Sequence, residues 1–209
     1  MAGLSNVSGL VIVDTGCANI SSVYFACQRL GVTATVSRDI KAIKQAQRVI
    51  LPGVGTANNA MAQLQQADLI DTLQQLQQPV LGICLGMQLL TESSQEGNVS
   101  CLNLIPGKVA AMQVEASQNN KLRLPHMGWN TLNNIQPHPL LTGFTEQDYV
   151  YFVHSFALAV NDYTLASCHY GCDFSAVIAK DNVAGAQFHP ERSGKAGARL
   201  IENFLKWQL

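Results

Sequence analysis

The chain has 209 residues, a formal net charge of −1, 47% hydrophobic residues and only 13% charged ones. This length suits a single α/β domain with a sizeable core, and the near-zero charge excludes a function built on binding nucleic acid or an anionic membrane. Soluble domains average about 25% charged residues, so neutral polar groups or a docked partner must cover part of this surface.

Taken in chain order, Leu10–Val13 reads as a buried strand, too short for the core of a signal peptide. Residues 21–30 place Val23, Cys27 and Leu30 on one helical face and stop at Gly31. Strands follow at 33–36 and 48–51, with a short helix marked by Ile40 and Ile43 between them. Beyond Pro52-Gly53-Val54-Gly55, residues 56–64 open a helix, and Leu69, Ile70, Leu73 and Leu76 extend helical spacing to Gln78, with the glutamines facing solvent. Pro79 stops it, and Val80-Leu81-Gly82-Ile83 is an apolar strand running into Cys84.

Strand and helix in alternation predict an α/β fold, a mainly parallel sheet with helices on both faces, whose reactive groups gather at the C-terminal strand ends. The second half differs: strands are predicted at 109–114, 127–132, 149–158, 163–169, 174–180 and 183–188 as antiparallel additions to the same sheet, before a last helix at 195–207. With no repeat or linker, 1–209 reads as one domain with a loose tail at 1–8. No run approaches the ~20 apolar residues of a membrane span, so a cytoplasmic location is expected, with Cys17, Cys27, Cys84, Cys101, Cys168 and Cys172 as free thiols. Cys168, His169 and Cys172 lack a second ligand pair, so no metal site is expected. No cofactor is expected either: Gly53-Val54-Gly55 is not a dinucleotide fingerprint and there is no phosphate loop.

The chemistry concentrates at Gly82-Ile83-Cys84-Leu85-Gly86. A strand delivers Cys84 into a turn with glycines at −2 and +2, and a helical pattern follows at once, which is the cysteine form of a nucleophile elbow. The turn aims the Leu85 N–H at a bound carbonyl. A thiol nucleophile needs a base and the base an orienting acceptor. His189 meets the first need at the end of a strand. Pro190 biases it toward extended backbone, in which Glu191 at i+2 points the same way and can hold one imidazole nitrogen while the other faces Cys84. His126, His138, His154 and His169 have no carboxylate at matching spacing and read as structural or peripheral.

Together, Gly82 to Gln88 and Phe188-His189-Pro190-Glu191 resemble the class I glutamine amidotransferases, and the likeness spans nearly the whole chain from Asp14-Thr15-Gly16 and Asn19 onward. The resemblance implies a flavodoxin-like three-layer fold and hydrolysis of L-glutamine through a Cys84 thioester, with His189 and Glu191 completing the triad. It implies oxyanion donors at Leu85 and at the Gly53-Val54 peptide, in a turn free to rotate. Glutamine recognition falls on Gly55, Gln88, Glu96, Ser155 and Phe156, the last standing where Tyr is common. Further motifs, Pro125-His126-Met127-Gly128-Trp129-Asn130 and Tyr151-Phe152-Val153-His154-Ser155, are similar to those of glutaminase subunits that supply ammonia to a separate (β/α)8-barrel cyclase subunit, which makes imidazole glycerol phosphate and AICAR. That implies a heterodimer whose interface includes His126, Met127, Gly128, Trp129, Asn130 and Arg192, the last standing where some members have Lys. Two alternatives are the amidotransferase subunit of an anthranilate or aminodeoxychorismate synthase, and a flavodoxin-like module whose cysteine senses oxidation. With a Cys-His-Glu site built, the remaining length leaves no second domain to accept the ammonia, so the acceptor is expected on another chain.

Overall fold

The fold was analysed in a computed structural model, which describes residues 9–16, 20–114 and 122–209. Cys17, Asn19 and the expected tail at 1–8 lie outside the described residues. The strands are β1 (Leu10–Val13), β2 (Ala34–Ser37), β3 (Arg48–Gly53), β4 (Val80–Cys84), β5 (Ser93–Ser94), β6 (Val99–Ser100), β7 (Lys108–Ala111), β8 (His126–Thr131), β9 (Tyr149–His154), β10 (Phe156–Leu158), β11 (Thr164–His169), β12 (Asp173–Lys180) and β13 (Val183–Ala186). The helices are α1 (Ile20–Arg29), α2 (Ile40–Gln45), α3 (Ala57–Gln66), α4 (Ile70–Gln74), α5 (Leu85–Leu89) and α6 (Gly194–Lys206).

Seven strands form the central sheet in the order β11-β12-β13-β4-β3-β1-β2. The five from β13 to β2 are mutually parallel, and β12 and β11 join antiparallel at one edge. Because side chains alternate along a strand, the sheet feeds two cores. Leu10, Ile12, Ile50, Leu81 and Ile83 pack with α1 and α6 on one face, while Val11, Val13, Val49, Leu51 and Val80 pack with α2 to α5 on the other. This is the three-layer α/β arrangement that the sequence pattern predicts.

Expectations for two regions are corrected. The helical spacing from Leu69 to Gln78 yields only five residues of helix, α4, which ends at Gln74, and Asp68, at φ +53°, separates it from α3. Its glutamines do face solvent, with Gln74, Gln75 and Gln77 exposed, although Gln74 Nε2 also donates to Leu102 O at 2.9 Å and the half-buried Gln78 donates through Nε2 to Ile43 O at 2.9 Å. The antiparallel material of the second half also does not all join the main sheet. β7 and β10 belong to a four-stranded sheet with β5 and β6, and β8 and β9 form a separate hairpin-like pair. The run 149–158 breaks at Ser155, which lets β9 and β10 serve different sheets.

Candidate active site

Three adjacent parallel strands end side by side, and their ends carry the reactive groups. Gly53 of β3 pairs with Cys84 of β4, and Ala186 of β13 pairs with Ile83. The residues just beyond, Val54, Leu85 and Gln187 to His189, therefore reach one edge of the sheet. The elbow at Cys84 is strained, with φ +53° and ψ −112°, a conformation that persists only when its surroundings enforce it. They do so by close approach. A Cβ on Gly86 would lie 1.8 Å from Leu51 O, and one on Gly82 would lie 2.7 Å from the Gly86 carbonyl.

His189 enters from β13 with extended backbone (φ −96°, ψ 98°), after which Pro190–Arg192 form a 3-10 turn. Glu191 thus reaches the imidazole by turning back, not along extended chain as the sequence suggested, because Pro at the first turn position is already set for helical φ. The Nδ1 atom of His189 stands 2.8 Å from Glu191 Oε1, with the two side chains 5% and 1% exposed. Its Nε2 atom is buried and turned to Cys84. Burial disfavours the imidazolium, but the Cys84 sulfur and the Glu191 carboxylate beside it outweigh burial and lift the His189 pKa to about 10. Ser193 clamps this turn to β9: its Oγ donates to His189 O at 2.7 Å and accepts from Tyr151 N at 2.9 Å.

A cavity of about 300 Å³ opens over these groups, lined by Val54, Gly55, Cys84, Leu85, Gln88, Glu96, Val153 to Phe156, His189 and Arg192. It brings together all but two of the residues expected for catalysis, oxyanion and substrate. Glu191 stands behind His189, and Gly53 is withdrawn beneath the cavity, where an added Cβ would meet Gly86 N at 2.7 Å and Leu85 Cβ at 2.9 Å. Gly55, two residues on, has φ +93° and open space where a Cβ would lie. Gln88 is 4% exposed rather than on a solvated helix face. Glu96 has a second duty, since its Oε2 accepts from Ala57 N at 3.0 Å and caps α3 in place of Thr56. Two participants were missed by sequence reasoning. Gln187, fully buried, donates to Cys84 Sγ, and Ser193 holds the turn. Their adjacency to His189 was visible, but their direction was not.

The hairpin strands β8 and β9 divide into two faces. Met127 and Trp129 point outward, 62% and 55% exposed, whereas His126 is 2% exposed and turns in. His126 is stacked between Tyr170 and Phe152, with ring centroids 4.0 and 4.8 Å away. A chain of hydrogen bonds fixes its tautomer. His154 Nδ1 lies 2.9 Å from Phe156 O and must donate, so His154 Nε2 accepts from His126 Nδ1 at 3.2 Å, and His126 Nε2 accepts from Asn130 Nδ2 at 3.4 Å. The sequence also missed a partner of His169, which pairs across strands with Asp173 at 2.7 Å. That pair is exposed and outside the cavity.

Elsewhere, a crevice of about 550 Å³ beyond β1 is lined by Asp14, Thr15, Gly16, Arg38 and part of α3. Its Asp14 carboxylate is held by Arg38 at 2.9 Å. Cys27, Cys84, Cys101, Cys168 and Cys172 are free thiols. Burial pushes the thiols of Cys27 and Cys101 up to about 11 and that of Cys168 up to about 12, which leaves them unreactive. Among the described residues no group of three or more His, Cys, Asp or Glu is placed to hold a metal ion, and no helix is long and apolar enough to cross a membrane.

The model of the glutamine amidotransferase class-I family matches residues 11–207, and the chain belongs to that family. Solved structures share the fold: one described as a glutamine amidotransferase superposes with a TM-score of 0.72 at 18% identity, covering 95% of this chain and 98% of the other. The glutaminase domain of Trypanosoma brucei CTPS superposes with a TM-score of 0.63 at 15% identity, covering 96% and 94%. Within the family the kinship is narrower. The chain is 53% identical to the imidazole glycerol phosphate synthase subunit HisH of Colwellia psychrerythraea, over 94% of this chain and 92% of the relative. It is 54% identical to that of Idiomarina loihiensis, over 96% and 98%, so it is a HisH-type glutamine amidotransferase.

Proposed function

We propose that this chain is the glutaminase subunit of an imidazole glycerol phosphate synthase and that Cys84, His189 and Glu191 are its triad. Cys84 attacks the side-chain amide carbon of glutamine. His189, held by Glu191, protonates the departing ammonia and then activates water against the γ-glutamyl thioester. The Leu85 N–H and the Gly53-Val54 peptide stabilise the oxyanion, and Gly55, Gln88, Glu96, Ser155 and Phe156 hold the substrate. One observation carries the reading: a strained, cavity-facing cysteine shares one buried edge with a carboxylate-bound histidine. The outward apolar face of β8 and β9, Met127 and Trp129 with Arg192 over the Tyr151 ring at 5.3 Å, suits docking of a cyclase subunit built as a (β/α)8 barrel in the cytoplasm. His126 supports that face from within.

Glutamate release by the purified chain, measured alone and with such a barrel and its ligand, tests this. Strong stimulation is expected, together with loss of activity by about 10⁴-fold or more in Cys84→Ala. High activity without a partner, or activity surviving Cys84→Ala, overturns the proposal.

A further inference from the structure

Gln187 follows β13 directly, is 0% exposed and lies level with the nucleophile. Its Nε2 donates to Cys84 Sγ at 3.8 Å, and its Oε1 accepts from Gln88 Nε2 at 3.0 Å. The other proton of that Gln88 amide goes to Phe156 O at 2.9 Å. With both Gln88 protons directed to oxygens, the Gln187 amide has one orientation: oxygen toward Gln88, N–H toward sulfur. Cys84 Sγ also lies 4.0 Å from Val153 O, to which only a protonated thiol can donate. The sulfur therefore stands between an acceptor that serves the thiol and a donor that serves the thiolate.

We propose that Gln187 is a further catalytic residue, whose amide N–H stabilises the Cys84 thiolate, and that Gln88 positions that amide in addition to facing the substrate. The proposal rests on Cys84 being the nucleophile. In the step concerned, the Cys84 S–H bond breaks, its proton forms an N–H bond at His189 Nε2, and the electron pair stays on sulfur. Nothing else is consumed. A hydrogen bond to an ionised acceptor is roughly twice as strong as one to a neutral group, so the Gln187 donor acts mainly on the ionised state, whereas the Val153 carbonyl acts on the resting thiol.

Two variants of the full chain test this. Gln187→Met removes the donor while retaining length, and Gln187→Glu retains shape while offering an acceptor. Each is alkylated with iodoacetamide across a pH series, and labelling of Cys84 is followed by peptide mass so that the other thiols do not interfere. The pH midpoint of Cys84 labelling is expected to rise by about one unit in Gln187→Met, the size expected for losing a hydrogen bond to a charged group, and further in Gln187→Glu. The kcat for glutamate release should fall at least tenfold at neutral pH, with KM for glutamine changing less than twofold. An unchanged midpoint in either folded variant overturns the proposal. Activity surviving in Cys84→Ala would instead overturn the nucleophile assignment, and is read independently.

Discussion

Two buried histidine clusters face the same cavity and are driven in opposite directions. At the turn after β13, His189 meets a carboxylate and a thiol, and its pKa rises to about 10 despite burial. On the β8-β9 pair, burial dominates. His126 is lowered to about 4 by desolvation, and His154 to about 3, where burial outweighs the bond to Phe156 O and the neighbouring imidazoles His126 and His189 further disfavour a charge on His154. Burial alone therefore does not set a histidine's chemistry. The partner decides, because a carboxylate or thiolate stabilises the imidazolium while a carbonyl and a second imidazole offer too little to offset desolvation. The difference also separates the two functionally: one histidine can hold and release a proton, and the other two are neutral hydrogen-bonding struts.

Breaking the charged cluster should have the largest effect. Glu191→Gln keeps the shape but removes the charge at 2.8 Å from His189 Nδ1, and kcat for glutamate release should fall about 10⁴-fold, as when a triad carboxylate is neutralised elsewhere. Melting temperature near neutral pH should also fall, because part of the stabilisation reported by the raised His189 pKa comes from this charge, so rates are compared in folded protein. A variant within tenfold of the parent rate would remove Glu191 from the triad.

The neutral cluster should announce itself in the pH dependence of stability. For His126 and His154 the folded pKa lies below the ordinary 6.5, so their contribution is present above pH 6.5 and is lost as pH falls toward 4 and 3, where the unfolded chain binds protons first. For His189 the sign is reversed, its contribution being complete below pH 6.5 and lost as pH rises through about 10. Melting temperature scanned from pH 7.5 to 4.5 should fall in the parent and fall less steeply in His154→Phe, which starts from a lower Tm because Phe156 O and His126 Nδ1 lose their partner. Parallel pH slopes in the two proteins would contradict the neutral assignment.

The smallest effect is expected on the outer face of the same hairpin. Met127→Ser alters a side chain that is 62% exposed, and its stability should stay within about 0.5 kcal/mol of the parent. Stimulation by the barrel partner should nevertheless weaken. Unaltered stimulation would move the docking face elsewhere.

Much of this was legible in the sequence where sterics leave one solution. Gly82 and Gly86 around Cys84 demanded an elbow, and the structure puts Leu51 O where any larger residue at 86 would collide. The alternating apolar runs likewise dictated the parallel sheet. Legibility failed where long-range packing sets direction. Asp68 cut a helix that apolar spacing had continued, and the strands of the second half could not be apportioned among three sheets, because strand pairing is a contact between segments distant in sequence.

The sequence by itself determined the reactive inventory: a cysteine in a glycine-flanked turn, a histidine and a glutamate after a strand, and a family signature across the chain. Only the tertiary structure decided that β3, β4 and β13 are neighbours, and this adjacency is what brings Cys84, Gln187 and His189 to one edge. It also decided which histidine meets a carboxylate and a thiol and which two are buried beside a carbonyl and each other, because burial, partner and tautomer are properties of a three-dimensional neighbourhood that spacing along the chain does not encode.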